Sequence, residues 1–242
     1  IYSDFEIEVS DINNLKKGRI TVGITVYLAT QVLPVILPEF RKLCPNIEVS
    51  VVEKNSTELA KALPAGEIDF ALMHALPYEE TMLHGGADVY PLARDPLVLV
   101  TAKNHPQRRH AVSITGAKYP QMPLQWFANE PFVMVNKEQK IRQAADLILN
   151  KAQISPPIVL TTKSFETARR LASTGIGATF VPLRYLDIFP GSYPCDCSFV
   201  DASFDPWWTL CVAVQKNAYV SQAAKLFLRI VSEKYGDRIL EL

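Results

Sequence analysis

The fold is decided by the stretch Gly18–Met73, which reads GRITVGITVYLATQVLPVILPEFRKLCPNIEVSVVEKNSTELAKALPAGEIDFALM. Short runs of strand character alternate in it with longer runs of helical character. We predict strands at Arg19–Ile24, Ile47–Val52 and Asp69–Met73, and helices at Thr30–Leu43 and about 57–65. Strand and helix in strict alternation indicate an α/β protein with a parallel sheet.

Polar side chains stand where these predicted strands end. Thr25 and Tyr27 follow the first strand, Ser56 heads the second helix, and His74 follows the third strand. Small molecules bind at this edge of open parallel sheets, and the free N–H groups of a helix N-terminus suit a carboxylate there. The structural alternatives are that Ser56 is a helix N-cap and that His74 is a hydrogen-bonding residue at a strand end.

The rest of the chain repeats this arrangement. Asn136 follows a predicted strand, and Thr162 and Ser164 precede a predicted helix. We predict strands at 89–92, 97–101, 131–135, 158–161, 178–181 and 208–214, and helices at 139–152, 164–173 and 220–235, with Ser164 as N-cap and Gly175 as helix stop. Polar residues at strand ends in both parts of the chain favour a protein of two lobes with a ligand-binding cleft.

Four motifs in this order resemble the effector-binding domain of LysR-type transcription regulators. They are Gly-x-Ile-x-x-Gly from Gly18, Leu-Pro-x-x-Leu-Pro-x-Phe from Leu33, Asp-Pro-Leu-Val-Leu-Val from Asp95 with His105-Pro106 after it, and the run Ala172–Pro182 with its Gly-x-Gly turn. The resemblance covers about residues 14–234. It implies an α/β fold of two Rossmann-like lobes joined by crossing strands, of the type 2 periplasmic-binding-protein-like class.

The resemblance also implies boundaries. Residues 1–17 would be a remnant of the linker region, 18–98 with 209–242 would form lobe I, and 99–208 would form lobe II. In the family a winged helix-turn-helix precedes this domain, and DNA would be bound only through that part.

By the same resemblance, a small polar or anionic metabolite binds between the lobes and controls oligomer geometry. The expected ligand contacts are Thr25, Tyr27, Ser56 and His74 on one lobe and Asn136, Thr162 and Ser164 on the other. Tyr27 replaces the family's usual small hydroxyl residue, which predicts a smaller pocket. A homodimer or tetramer is expected, formed through the first helix with its apolar Val35 and Phe40 beside core-facing Leu33 and Leu37.

The composition and charge of the chain argue against some classes of function. The 242 residues carry 25 basic and 25 acidic side chains, so the formal net charge is zero. DNA binding relies on basic surfaces, so the chain itself is poorly equipped for it. No apolar run reaches the length of a membrane span, and Ile1–Val9 lacks the pattern of a signal peptide, so we expect a cytoplasmic protein. The alternative is an extracytoplasmic solute-binding protein of related two-lobed fold, which would need a signal peptide upstream.

Enzymatic motifs are missing from the sequence. It contains no His-Glu-x-x-His pattern, no Gly-x-Ser-x-Gly elbow and no phosphate loop. We therefore expect no catalytic residue, cofactor or metal. The four cysteines are expected to be free thiols, with Cys44 and Cys211 as buried apolar residues. The pair Cys195 and Cys197 leaves a redox couple or half of a metal site open as alternatives.

Overall fold

The structure is a computed structural model that describes residues 18–77, 86–188, 193–236 and 240. The predicted linker remnant at 1–17 lies outside these residues. The described chain divides into two compact units. Unit 1 comprises the described residues up to Ala93 and from Thr209 onward, and unit 2 comprises Arg94–Trp208.

The elements alternate as predicted for an α/β protein. In chain order they are β1 (Gly18–Ile24), α1 (Val26–Leu43), β2 (Ile47–Glu53), α2 (Ser56–Ala62), β3 (Phe70–Ala75), β4 (Ala87–Ala102), β5 (Phe132–Val135), α3 (Lys140–Lys151), β6 (Ile158–Thr162), α4 (Phe165–Ser173), β7 (Thr179–Pro182), α5 (Leu183–Ile188), β8 (Cys195–Ser198), β9 (Trp207–Gln215) and α6 (Gln222–Tyr235). Short 3-10 helices lie at Pro106–His110, Leu124–Phe127 and Ala202–Phe204.

Unit 1 is a sheet covered by helices on both faces. β1 pairs in parallel with β2 and with β3, and β3 pairs antiparallel with β9. Because side chains alternate along a strand, Phe70 and Leu72 of β3 face one core, whereas Ala71 and Met73 face the other. α1 and α6 close the first core, where the Phe227 ring lies 5.3 Å from Phe40. α2 closes the second core.

Unit 2 contains two sets of strands. β4 pairs antiparallel with β7 on one side and with β8 on the other, while β5 and β6 pair in parallel. β7 approaches β5 through a parallel bridge between Phe132 and Ala178. Gly177 allows this approach, because a Cβ there would lie 2.7 Å from the carbonyl oxygen of Pro131. Gly175 adopts a positive φ of 89° and ends α4, as predicted.

Two predicted boundaries are wrong. The sequence predicts separate strands around Asp95-Pro96, but β4 runs through both residues. Proline favours extended backbone in the residue before it, and the buried Asp95 is held there by the indole N–H of Trp208 at 3.3 Å. The first helix starts at Val26 rather than Thr30, because the extended Thr25 already accepts a helical hydrogen bond from Ala29.

The predicted oligomer surface on α1 also needs correction. Phe40 is fully buried in the unit 1 core, and Leu33 and Leu37 are only partly buried. Val35 remains 46% exposed. The buried stripe of α1 runs through Val32, Ile36 and Phe40 rather than through Leu33 and Leu37, and the Phe40 ring packs edge-on against Phe227 of α6. Among the residues the structure describes, no helix combines the length and the apolar character needed to cross a membrane.

Candidate functional site

The carboxyl edge of the unit 1 sheet brings the predicted site residues of that unit together. Ile24 at the end of β1 is opposite Leu72 of β3 and Glu53 of β2. The next residue, Thr25, donates its backbone N–H to Leu72 at 3.4 Å. Thr25, the start of α2 and the end of β3 therefore share one edge of the sheet.

Thr25 has an unusual environment at this edge. It is the N-cap residue of α1, yet its side chain makes no capping hydrogen bond. Its Oγ1 atom is buried and has no hydrogen-bond partner among the described residues. A buried hydroxyl without a partner is costly, and such groups are typical of positions where a ligand or water completes the bonding.

Tyr27 and His74 form a stacked pair inside unit 1. Their ring centroids lie 5.8 Å apart at an interplanar angle of 24°, and both residues are buried. The Tyr27 hydroxyl accepts a hydrogen bond from the side chain of Gln31 one turn further along α1. Tyr27 thus sits in the first turn of the helix. His74 lies within β3, which runs to Ala75, rather than after the strand as predicted. Whether either touches a ligand stays a prediction.

The N-cap interpretation of Ser56 is wrong. Asn55 is the N-cap residue of α2, because it has the extended backbone that this position requires, with φ −72° and ψ 163°. Its Oδ1 accepts from the backbone N–H of Glu58 at 2.9 Å, and the Glu58 carboxylate accepts from the Asn55 backbone N–H at 3.0 Å. This reciprocal pair is a capping box. Ser56 is the first helical residue and is 9% exposed.

The three predicted site residues of unit 2 also lie together. Val135 at the end of β5 is opposite Thr162 at the end of β6, and the Asn136 backbone N–H donates to the Thr162 carbonyl at 3.0 Å. The Thr162 hydroxyl accepts from the Ser164 backbone N–H at 3.3 Å. Ser164 caps α4 by accepting from the Thr167 N–H at 3.2 Å, which confirms its predicted role as N-cap. Its side chain is otherwise exposed.

A network of charged side chains on α4, beyond its N-cap Ser164, was not predicted. Glu166 accepts hydrogen bonds from Arg169 at 2.8 Å, from Arg170 and from the Tyr185 hydroxyl at 2.8 Å. Burial alone would raise the pKa of Glu166, but these donors outweigh it and lower the pKa to about 2. The Glu–Arg spacings of three and four residues are a helix signal visible in the sequence. Tyr185 lies on α5, and no local pattern points to it.

The described cysteines are all free thiols. Cys44 and Cys211 are fully buried, as predicted. Cys195 and Cys197 are half-buried, and their sulfur atoms lie 3.8 Å apart. Within the described ranges, no cluster of three or more histidine, cysteine, aspartate or glutamate side chains could hold a metal ion.

Comparison with known protein families identifies the family of this chain. A family profile described as "LysR substrate binding domain" matches residues 13–236, which is nearly the whole chain. The chain belongs to this family. The family is one of transcriptional regulators, and the α/β fold is of the type 2 periplasmic-binding-protein-like class, as the sequence predicts.

Curated relatives carry the names of transcription regulators. The HTH-type transcriptional regulator YcgK of Bacillus subtilis is 26% identical over 89% of the chain and 66% of its own length. AlsR of the same species is 28% identical over 72% of the chain and 54% of its length. A probable RuBisCO transcriptional regulator of Trichormus variabilis is 25% identical over 94% and 65%. The chain spans about half to two thirds of the length of these relatives.

Solved structures with the same fold include domains with bound small molecules. The BenM effector-binding domain with benzoate superposes with a TM-score of 0.74 at 16% identity, covering 94% of this chain and 99% of that one. The CcmR regulatory domain of Synechocystis in complex with 2-PG gives 0.73 at 19% identity, covering 91% and 99%. The QuiR effector-binding domain with shikimate gives 0.72 at 20% identity, covering 93% and 100%. At these identities the likeness establishes the fold.

Proposed function

We propose that this chain is the ligand-sensing regulatory domain of a bacterial LysR-type transcription factor. The observation that carries the proposal is the family match over residues 13–236. Relatives named as transcription regulators support sensing over the alternative of an extracytoplasmic solute-binding protein. The neighbours bound to benzoate and shikimate support a small carboxylate, or a similarly polar or anionic metabolite, as effector.

The site we propose consists of the polar residues at the two sheet edges. The contacts would be Thr25, Tyr27, Ser56 and His74 from unit 1, and Asn136, Thr162 and Ser164 from unit 2. The buried Thr25 hydroxyl supports this placement, because an anionic ligand would supply the partner that the described residues do not. Backbone N–H groups in the first turns of α1 and α4 add donors suited to a carboxylate.

The proposed effect of the ligand is on assembly. A ligand can shift a protein only by binding one arrangement more tightly than another. We propose that the arrangement is a homodimer or tetramer, and that DNA is bound through the N-terminal domain of the full-length parent. The equal numbers of acidic and basic residues agree with a domain that leaves DNA to another part. A cytoplasmic, non-enzymatic role without cofactor or metal completes the proposal.

Calorimetry with matched ligands tests this function. We would compare benzoate and shikimate, and a wider panel of small carboxylates, with their uncharged amides. A carboxylate should bind and raise the melting temperature, since a ligand that binds only the native state stabilises it. The amide should bind at least about tenfold more weakly, because hydrogen bonds to a charged group are the stronger ones.

Two results would contradict the proposal. One is that amides and carboxylates throughout the panel behave alike. The other is a salt-resistant, sequence-specific DNA shift by this chain alone, which would assign DNA recognition to it. Sedimentation at tens of micromolar, a rough working range for weak interfaces, with and without the best ligand, tests the change in assembly.

A further inference from the structure

Strand β8 places two thiols side by side. Residues two apart on a strand point to the same face, so Cys195 and Cys197 share one face while Asp196 points away. The two Sγ atoms lie 3.8 Å apart. The pairing of β8 with β4, which sets Cys195 opposite Ala102 and Cys197 opposite Val100, holds this geometry. Both side chains pack against the small apolar cluster that contains Val98, Val100, Ala172 and Val181.

The two sulfur atoms differ in their surroundings. A hydrogen bond from Cys197 and the buried guanidinium of Arg169 favour the thiolate of Cys195, and they lower its pKa to about 7 although burial and Asp196 oppose them. The same hydrogen bond, together with burial, raises the pKa of Cys197. Asp196 itself is engaged on the other face, where its carboxylate accepts from the Asn104 N–H at 2.8 Å and from Arg108 at 3.0 Å. One thiol is thus prepared to attack, and its neighbour keeps its proton.

We propose that Cys195 and Cys197 form a thiol-modification site for small disulfide compounds, with Cys195 as the attacking thiol and Cys197 as the resolving thiol. The Cys195 thiolate attacks one sulfur of a disulfide R–S–S–R, forms a new S–S bond to it, and releases one RS⁻. Cys197 then loses its proton to solvent and attacks the Cys195 sulfur, which releases the second RS⁻. The protein dithiol is oxidised by two electrons, and the small disulfide is reduced to two thiols.

The final bond requires a small local bend of β8, because residues two apart on a strand hold their Cβ atoms farther apart than the roughly 3.5–4.5 Å that a disulfide spans. With a rise of about 3.3 Å per residue, the two Cα atoms of residues two apart lie about 6.6 Å apart. That distance is within the range of about 4.4–6.8 Å in which disulfides form, although near its upper end. The sulfur atoms must approach each other by about 1.8 Å, from 3.8 Å to a bond of about 2.05 Å. A disulfide near the geometric limit is one that thiols reduce readily, so the modification is reversible.

The experiment uses oxidised glutathione as the probe and the whole chain as the target. Samples are quenched with acid at timed intervals, the free thiols are blocked with a maleimide, and intact mass and peptide maps are recorded. The parent should lose two of its four thiols, retain no glutathione, and show a Cys195–Cys197 link in the peptide map. This readout needs no variant, so a folding defect cannot obscure it.

Variants and a peptide identify the order of the steps. Cys197→Ala should stop at one glutathione bound to Cys195. Cys195→Ala should neither bind glutathione nor form a disulfide in the same time. Cys44→Ala is the matched control and should behave like the parent, because burial raises the pKa of the Cys44 thiol.

A synthetic peptide of residues 193–199 carries the same thiols without the fold. At pH 7 the parent should react roughly fivefold faster than it, since the gain in thiolate is partly offset by lower nucleophilicity.

Three results would overturn the proposal. The first is that the parent keeps all its thiols while the peptide is consumed. The second is that glutathione attaches to Cys44 or Cys211 instead. The third is that the Cys197→Ala protein releases glutathione as fast as the parent, which would show that Cys197 does not resolve the mixed disulfide.

Discussion

Helices α2 and α4 occupy equivalent places in their units, yet they begin in different ways. Each follows a parallel strand and starts at the carboxyl edge of its sheet. In α2 the N-cap is Asn55, and the candidate ligand residue is its neighbour Ser56. In α4 one residue, Ser164, is both the N-cap and the candidate ligand residue. Capping and proposed binding are therefore separable in unit 1 and combined in unit 2.

The two helices also differ in what supports their first turn. α2 depends on the capping box of Asn55 and Glu58, which lies at the surface. α4 depends on Glu166, which joins Arg169 of its own helix to Tyr185 of α5. The start of α4 is therefore tied to another element of unit 2, whereas the start of α2 is held by its own residues. Substitutions should accordingly affect folding more strongly in α4.

The largest expected effect is that of Glu166→Gln on folding. The substitution leaves the guanidinium of Arg169, which is 4% exposed, without its charged partner. Breaking a buried pair costs about 3–5 kcal/mol, and we expect about 3 because Glu166 keeps partial contact with solvent. Urea unfolding measures the change. Glu233→Gln is the matched control, since the exposed pair of Glu233 with Arg229 on α6 is worth at most about 0.5 kcal/mol. Equal losses in the two variants would show that the Glu166 network supports α4 no better than an exposed ion pair supports α6.

The second-largest expected effect is that of Thr25→Val on ligand affinity. If the buried hydroxyl binds an anionic effector, its removal should weaken binding by about 1.5–3 kcal/mol, which is roughly ten- to a hundredfold. Folding should not suffer, because Oγ1 has no protein partner among the described residues and valine is similar in shape. Calorimetry and thermal melting should be run on the same samples. Thr57→Val, at an exposed position of α2, is the control. Unchanged affinity in Thr25→Val would place the site elsewhere.

Acid should affect the parent through Glu166. The pKa of this carboxyl is about 2 in the folded protein against an ordinary value of 4.5. Its contribution is therefore fully present above about pH 4.5 and is lost as the pH falls toward 2. Between pH 5 and pH 3 the parent should lose up to about 2 kcal/mol from this group, less where solvent screens it. Glu166→Gln should lose less stability than the parent over the same interval. Parallel losses would show that Glu166 titrates normally.

The smallest effects separate capping from binding. Asn55→Ala should cost about 1 kcal/mol of stability through the lost cap, with affinity for an effector unchanged. Ser56→Ala should cost less than about 0.5 kcal/mol and weaken binding. Ser164→Ala should show both losses, about 1 kcal/mol of stability and reduced affinity. Melting and calorimetry on the three proteins test the pattern. A stability loss in Ser56→Ala equal to that in Asn55→Ala would contradict the separation.

Several elements follow from local sequence alone. β1 and β2 were predictable because they are short runs rich in β-branched residues. β3 was predictable as a short apolar run bounded by the turn residues Gly66 and Pro77. The N-cap Ser164 and the glycine stop at Gly175 were predictable because caps and positive φ angles demand particular residue types. The polar strand ends of each unit could be grouped because parallel strands bring their carboxyl ends to one edge.

Other features depend on one-residue choices that local patterns do not resolve. The sequence Asn55-Ser56 offers two good caps in a row, and the reciprocal bond with Glu58 selects the first. α1 begins one turn before the predicted start, which places Tyr27 in the helix and over His74. The start of α1 is fixed at Thr25, which accepts from the Ala29 N–H and donates its own N–H to Leu72 of the neighbouring β3.

What the sequence by itself determined is the α/β class, the family, and the groups of polar residues at the sheet edges, because these depend on periodicity and on residue types at fixed spacings. Only the tertiary structure decided which side chains meet across long separations. Asp95 meets the Trp208 indole 113 positions away, Tyr185 meets Glu166, and Phe40 turns inward to Phe227. It also set Arg169 beside the Cys195 thiol. Such contacts depend on the packing of separate elements, which no local pattern encodes.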